Sequence, residues 1–285
     1  MEPYIRILIL IISFFIGAIF GSFACCQAWR IRLKEKNQKS PGKWSVCLSC
    51  GKRLTKSENI PLFSWLAQKG KCKKCGAKIG LSEILSEFCM GLIFVAFTNY
   101  FYDSFAAAIT DNQITYLIML IASALILIVA IITMWILVVY DTKWQKFPTF
   151  LLTILNISAI MSVILQAVGL ILSSVELSEI GIFLLKVLGS AALLAAPYYL
   201  LSTFSKEKLV GSGDWLVALP IGLMLGHWWL ALIALFVANT AGGVIGLFLR
   251  AKKGTKQIPF GPFLVFAFVI VYVMQSWLMS LIVAL

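Results

Sequence analysis

Apolar residues run along this chain in long, nearly unbroken blocks, at 5–28, 84–102, 114–140, 147–172, 180–201, 228–249 and 262–284. Each is close to the about 20 residues a helix needs to cross the hydrocarbon core of a bilayer. An eighth block, 214–226, is shorter: its 13 residues make a helix of roughly 20 Å, against a core of about 30 Å. Between the first and second blocks the pattern changes to about 50 polar, Lys-rich residues, too few to hold together around an apolar core alone. The chain is therefore expected to be an all-α polytopic membrane protein with about eight transmembrane helices and a small domain between helices 1 and 2. No small-residue cleavage site follows the first block, so it reads as a retained span rather than a signal peptide. Neither an internal repeat nor a low-complexity tract interrupts the pattern.

Charge adds an orientation. Of the 24 Lys and Arg, 14 lie between Arg30 and Lys78, which makes the first loop cytoplasmic by the positive-inside rule. Alternation then puts the loops at 141–146, 202–213 (Lys206, Lys208) and 250–261 (Arg250, Lys252, Lys253, Lys256) inside as well. The opposite loops carry Asp103, Asp111, Glu176 and Glu179. Eight spans with both termini outside satisfy this pattern, with Arg6 the exception, whereas seven would put the last basic loop outside. The net charge of +12 is thus mostly one basic loop facing anionic lipid, and no nucleic-acid partner is expected. Four regions follow: 1–29, the first span; 30–82, the cytoplasmic loop domain; 83–113, the second span and an outer loop; and 114–285, six further helices.

The loop domain contains Cys47 and Cys50, then, after 21 intervening residues, Cys72 and Cys75, and Gly51 and Gly76 follow the two pairs. Two Cys-x-x-Cys knuckles at this spacing suit four thiolates around one structural zinc ion. A reducing cytosol disfavours disulfides, and four thiolates leave no open position for catalysis at the metal. Cys25, Cys26 and Cys89 fall within spans and read as small packing residues.

Two acids stand out in the later spans. Asp141 ends the third block at its inner boundary, and Asp214 opens the short block from the same side behind Gly211-Ser212-Gly213. Glycines there permit unusual dihedrals and close approach of another chain segment, in a break of the membrane lined by protein or water. The plain alternatives are that Asp214 caps its own helix and Asp141 is an ordinary interfacial residue. Facing each other, the two carboxylates would share a proton, so that one activates a water while the other polarises a peptide carbonyl, which is aspartyl proteolysis. An ion site in a transporter and a non-catalytic scaffold use the same acids differently. A transporter usually shows paired broken helices within a repeat, and here a single short segment is broken.

The order of these elements resembles the bacterial type IV prepilin leader peptidase/N-methyltransferase family. The resemblance runs over nearly the whole chain and is carried by Gly21-Ser22-Phe23 with Trp29-Arg30, the four-cysteine loop, "NIPLFSWL" (59–66), Ser86-Glu87, Tyr140-Asp141, Gly211-Ser212-Gly213-Asp214 and "IPFGPFL" (258–264). It implies a membrane aspartic protease of the Gly-x-Gly-Asp type in the inner (cytoplasmic) membrane, with Asp141 and Asp214 as the catalytic pair. Its substrates would be prepilins or pseudopilins of type IV pili or type II secretion, cut after a short basic leader at the cytoplasmic face. It also implies methylation of the new N-terminus by S-adenosylmethionine, with Glu87 a contact to the pilin amino group or the methyl donor; a snorkelling interfacial acid is the alternative for Glu87. Ala24 and Cys25 stand where many members carry Leu-Asn, and "EILSE" (83–87) where many carry Tyr-Pro-Leu-Val-Glu. The "IPFGPF" stretch is expected to be an ordered turn at the substrate entrance, with no chemical role.

Overall fold

The structure, a computed structural model, describes residues 3–38, 42, 44–206, 211–253 and 259–283. Lys39, Lys43, Lys208, Lys256 and Ile258 lie outside the described residues. Two compact units divide the chain, Met1–Asp111 and Asn112–Leu285.

In the first unit, α1 (Pro3–Glu35) and α3 (Leu81–Thr110) run antiparallel. The buried side of α1 is a stripe of small residues, Gly17, Gly21, Ala24 and Ala28, at helical spacing. Without hydrophobic drive between helices in lipid, such stripes let two backbones approach and gain dispersion contact. A Cβ at Gly17 would lie 2.5 Å from the Met90 carbonyl oxygen, and one at Gly21 2.6 Å from that of Ser86. Towards the other end of this pair, Arg6 donates to Asn99 at 2.7 Å and pairs with Asp103 at 3.3 Å. The basic residue that the charge pattern leaves as an exception thus has an acid beside it. A loop segment with the short helix α2 (Phe63–Ala67) joins α1 to α3.

The second unit contains α4 (Ile114–Trp144), α5 (Thr149–Leu172), α6 (Leu177–Ser205), α7 (Asp214–Leu225), α8 (Trp228–Lys253), α9 (Gly261–Val273) and α10 (Gln275–Val283). Outward faces in both units are apolar, as at Ile7, Leu92, Leu185 and Phe236, the inverse of a water-soluble surface. Among the described residues, six helices are long and apolar enough to cross a membrane, and the chain is a multi-pass membrane protein. The final apolar block, expected as one helix, is instead two, α9 and α10, bent by 69°. At 12 residues, about 18 Å, α7 is too short to cross. It packs against α5, α6, α8 and α9, and none of its residues is exposed. A helix apolar on every side belongs in such a place. Gly222 of α7 meets the α6 backbone, where a Cβ would sit 2.6 Å from the Ala191 Cα, and the Ser190 hydroxyl donates to the Gly222 carbonyl at 2.7 Å.

Gly21→Ala is expected to force α1 and α3 apart at a cost of about 1–3 kcal/mol. Gly169→Ala on α5, where the added methyl has no neighbour within 4 Å, is expected to leave stability unchanged or raise it. Thermal unfolding of both variants in one detergent checks the contrast.

Candidate active site and metal centre

The loop of the first unit folds as two matching knuckles. The Cys47 N–H donates to the Lys52 carbonyl at 2.8 Å and the Cys72 N–H to the Ala77 carbonyl at 2.9 Å. Antiparallel bridges pair Val46 with Arg53 and Lys71 with Lys78. Each turn closes at a glycine of positive φ, Gly51 at 66° and Gly76 at 69°, a conformation that L side chains rarely adopt. The knuckles bring all four sulfur atoms within 4.8 Å of one another, with Cys47 and Cys75 Sγ 3.8 Å apart. A tetrahedral thiolate site with metal–sulfur bonds of about 2.3 Å has edges of about 3.8 Å, so the set fits a four-coordinate ion. Backbone N–H groups of Cys75 and Lys74 hold the Cys72 thiol down to about 6, towards the thiolate a metal requires, whereas Cys75, despite the Ala77 N–H, is held up at about 11 by burial and the neighbouring thiols.

A second polar cluster, absent from the expectations above, braces the first knuckle. Glu58 is buried and accepts from Lys52 Nζ at 2.8 Å, from the Thr55 N–H at 3.0 Å and from the Thr55 hydroxyl at 3.1 Å, while the Glu58 N–H donates back to that hydroxyl at 3.3 Å. The exchange is a capping box on the 3₁₀ turn Ser57–Asn59, and its signal, Thr55-x-x-Glu58, was present in the sequence. The Lys52 bond, followed by the Thr55 N–H, pulls the Glu58 carboxyl down to about 2.

Glu87 does not snorkel. It lies buried at the start of α3, where Oε2 accepts the Leu62 N–H at 2.7 Å and Ser22 of α1 supplies a further hydrogen bond. Leu62 has φ 63° and ψ −54°, and the Phe63 N–H reaches the Pro61 carbonyl at 2.7 Å. This is a γ-turn of the positive-φ form, rare and strained for a branched side chain. Glu87 therefore ties α1, the "NIPLFSWL" turn and α3 together. The Phe63 ring stacks on Phe15 of α1, with centroids 6.0 Å apart.

The other acids lie in the second unit, which brings them together. Asp141 and Asp214 are 4% and 5% exposed and close enough to interact electrostatically. Asp141 sits in the last turn of α4, which ends at Gln145 in the left-handed conformation ahead of Pro148. Its Oδ2 accepts the N–H of Gly261, the first residue of α9, at 3.0 Å. Asp214 begins α7 and accepts the Gly211 N–H at 3.0 Å through its own Oδ2. The carboxylate is directed back into the glycine turn rather than forward as a cap on α7. The unusual dihedrals expected of the glycines are not found at Gly213, whose φ is −81°. What requires glycine at 213 is close approach, because the Phe147 ring occupies the space a Cβ would take. Glycine at 211 is not explained by space, since a Cβ there meets only Asp214 Oδ2, at 3.5 Å. Phe147, and the bond that Gly261 makes within the 258–264 run, leave no sequence signal, because neither residue is polar and their partners are remote in sequence.

Comparison with known proteins bears on both units. Residues 15–101 match the family model described as the Bacterial Peptidase A24 N-terminal domain, a segment that includes the four cysteines and Glu87 and stops before Asp141. A prepilin leader peptidase/N-methyltransferase of Dichelobacter nodosus is 29% identical over 226 residues, 78% of this chain and 68% of that protein. One from Stutzerimonas stutzeri is 29% identical over 227 residues, 78% of this chain and 69% of its own. One from Bacillus subtilis is 38% identical over 85 residues, 30% of this chain and 33% of its own. No solved structure matches.

Cys72→Ser and Cys75→Ser are each expected to abolish metal binding by the purified protein, and Cys89→Ser to leave it intact, as read by elemental analysis. Because the Glu58 carboxyl is held below its ordinary 4.5, its contribution to stability is complete above that pH and fades as the pH falls towards about 2. Glu58→Gln should therefore unfold at a lower Tm than the unaltered protein at neutral pH, with the gap narrowing between pH 4.5 and 2.

Proposed function

The chain belongs to the bacterial prepilin leader peptidase/N-methyltransferase family, and on that premise we propose that it removes the short basic leader of type IV prepilins or pseudopilins by aspartyl proteolysis. The observation that carries the proposal is the buried pair itself: two carboxylates from different helices of one unit, each with one oxygen turned to a backbone N–H, at Gly261 and Gly211. Burying two acids among apolar helices is costly, and a pair that shares a proton at a hydrolytic site gives the expense a purpose.

The chemistry assigns the second oxygen of each acid to the reaction. A water positioned between the carboxyl groups loses a proton to the ionised one as its oxygen attacks the scissile carbonyl carbon. The protonated acid gives its proton to the carbonyl oxygen, producing a neutral tetrahedral diol. Collapse of the diol breaks the C–N bond, with a proton passing to the departing amine. Water and peptide are consumed, and the acids return to their starting state. The bond cut lies after a glycine where the leader meets the pilin's apolar helix, at the cytoplasmic face of the inner membrane. The Gly211–Asp214 turn is the supporting loop of this site.

Methylation of the new N-terminus, with S-adenosylmethionine as donor, belongs to the same proposal and is supported by the two-part name of the relatives. The four cysteines would hold a structural zinc that stabilises the loop domain. Glu87, already an acceptor for Leu62, is proposed as a residue on which methyl transfer depends.

Detergent-solubilised protein incubated with a prepilin tests both halves. Asp141→Asn and Asp214→Asn are each expected to lower leader removal by about 10³-fold or more, while Glu87→Gln spares cleavage and lowers methylation of the cleaved pilin. Cleavage undiminished in either Asp variant removes the acid pair from the mechanism, and equal loss of both activities in Glu87→Gln removes that residue's role.

A further inference from the structure

The "IPFGPFL" run, expected as a turn without chemistry, has a more specific geometry in its described part, 259–264. At the start of α9, the Gly261 N–H donates to Asp141 Oδ2 at 3.0 Å. A methyl group added at Gly261 would lie 2.9 Å from that oxygen and 3.1 Å from Phe147 Cζ. The opposite edge of the same Phe147 ring fills the Cβ position of Gly213, the residue before Asp214. One ring, from the α4–α5 turn, is therefore wedged between the backbone that holds one acid and the backbone that precedes the other. Phe260 locks the α9 end of this arrangement: its ring would lie 2.7 Å from a Cβ at Gly242 of α8 and packs on Tyr198 of α6 at 5.3 Å.

We propose that Phe147 and Gly261 are positioning residues of the acid pair, a clamp in which the ring sets the separation of Asp141 and Asp214 and the Gly261 N–H sets the orientation of Asp141. The inference rests on the peptidase reading above and extends it to two residues with no acid–base chemistry. A phenyl ring suits the role because it is flat, rigid and incompressible across its width, and two glycines let it touch backbone on both edges. Proton sharing between carboxylates tolerates little change in distance, and a shift of about 1 Å in a catalytic group costs on the order of 10²-fold in rate. The clamp acts on the reacting geometry and not on capture of the pilin helix, so its loss falls on kcat.

Steady-state leader removal by the full-length protein in detergent, with a prepilin as substrate, tests the clamp. Phe147→Ala is expected to lower kcat by about 10- to 100-fold with KM within about twofold, and Phe147→Leu to recover most of the loss. Gly261→Ala should be at least as damaging. Gly213→Ala should be harmful alone yet add little to Phe147→Ala, since the new methyl enters the space the ring has left. A Phe147→Ala protein with unaltered Tm and kcat within about twofold of wild type, or one whose loss lies in KM, overturns the clamp. So does full additivity in the Gly213/Phe147 pair. Where Phe147→Ala does not fold, Gly261→Ala decides by the same split between kcat and KM. A wild-type protein that cleaves no better than Asp141→Asn instead overturns the peptidase reading, and the clamp with it.

Discussion

A carboxylate among apolar helices has to find hydrogen-bond donors, and in the second unit the backbone supplies them. The bond from Gly261 to Asp141 is the constraint on which that unit depends. It requires α9 to begin beside the last turn of α4, with a residue lacking a side chain at that position, and it forces the preceding Phe260 into contact with α6 and α8. Gly211 answers the same need at Asp214. An unpaired buried charge costs far more than an ordinary core defect, so both glycine turns are fixed by the acids as much as the acids by the turns.

The first unit meets the opposite difficulty, a polar segment with too little apolar surface to fold by itself. Four cysteines brought together on two knuckles, the Lys52–Glu58–Thr55 cluster and the Glu87 bond to a strained Leu62 stand in for the missing core. These contacts are directional rather than bulky. The shape of the segment between α1 and α3 therefore rests on a handful of polar atoms, and the strain at Leu62 persists because Glu87 and the Phe63–Phe15 stack hold the turn from both sides.

Much of this was legible in the sequence, where physics leaves a periodic or spaced signature. Spans announce themselves by length, cysteine knuckles by their repeat, and the acids by standing against an apolar background. The division of the final span at Met274 left no mark, since neither Pro nor Gly is found in α9 and α10 beyond the Gly261-Pro262 start. Phe147 was invisible for a different reason: a phenylalanine beside a proline looks like membrane filler until the segments that enclose it are known. Conformational freedom is the usual reason for glycine in a turn, whereas at Gly213 the determining fact is a ring contributed from more than sixty residues earlier in the chain.

Lipid has little hold on α7. The long helices expose apolar side chains to their surroundings and can tilt when a bilayer thickens or thins, at a cost of fractions of a kcal/mol per Å. α7 has no exposed residue and is enclosed by α5, α6, α8 and α9, so its height is registered against protein. A change in membrane thickness reaches Asp214 only through rearrangement of four neighbours, which makes the acid's vertical position a property of the bundle and carries it unchanged between membranes of different composition.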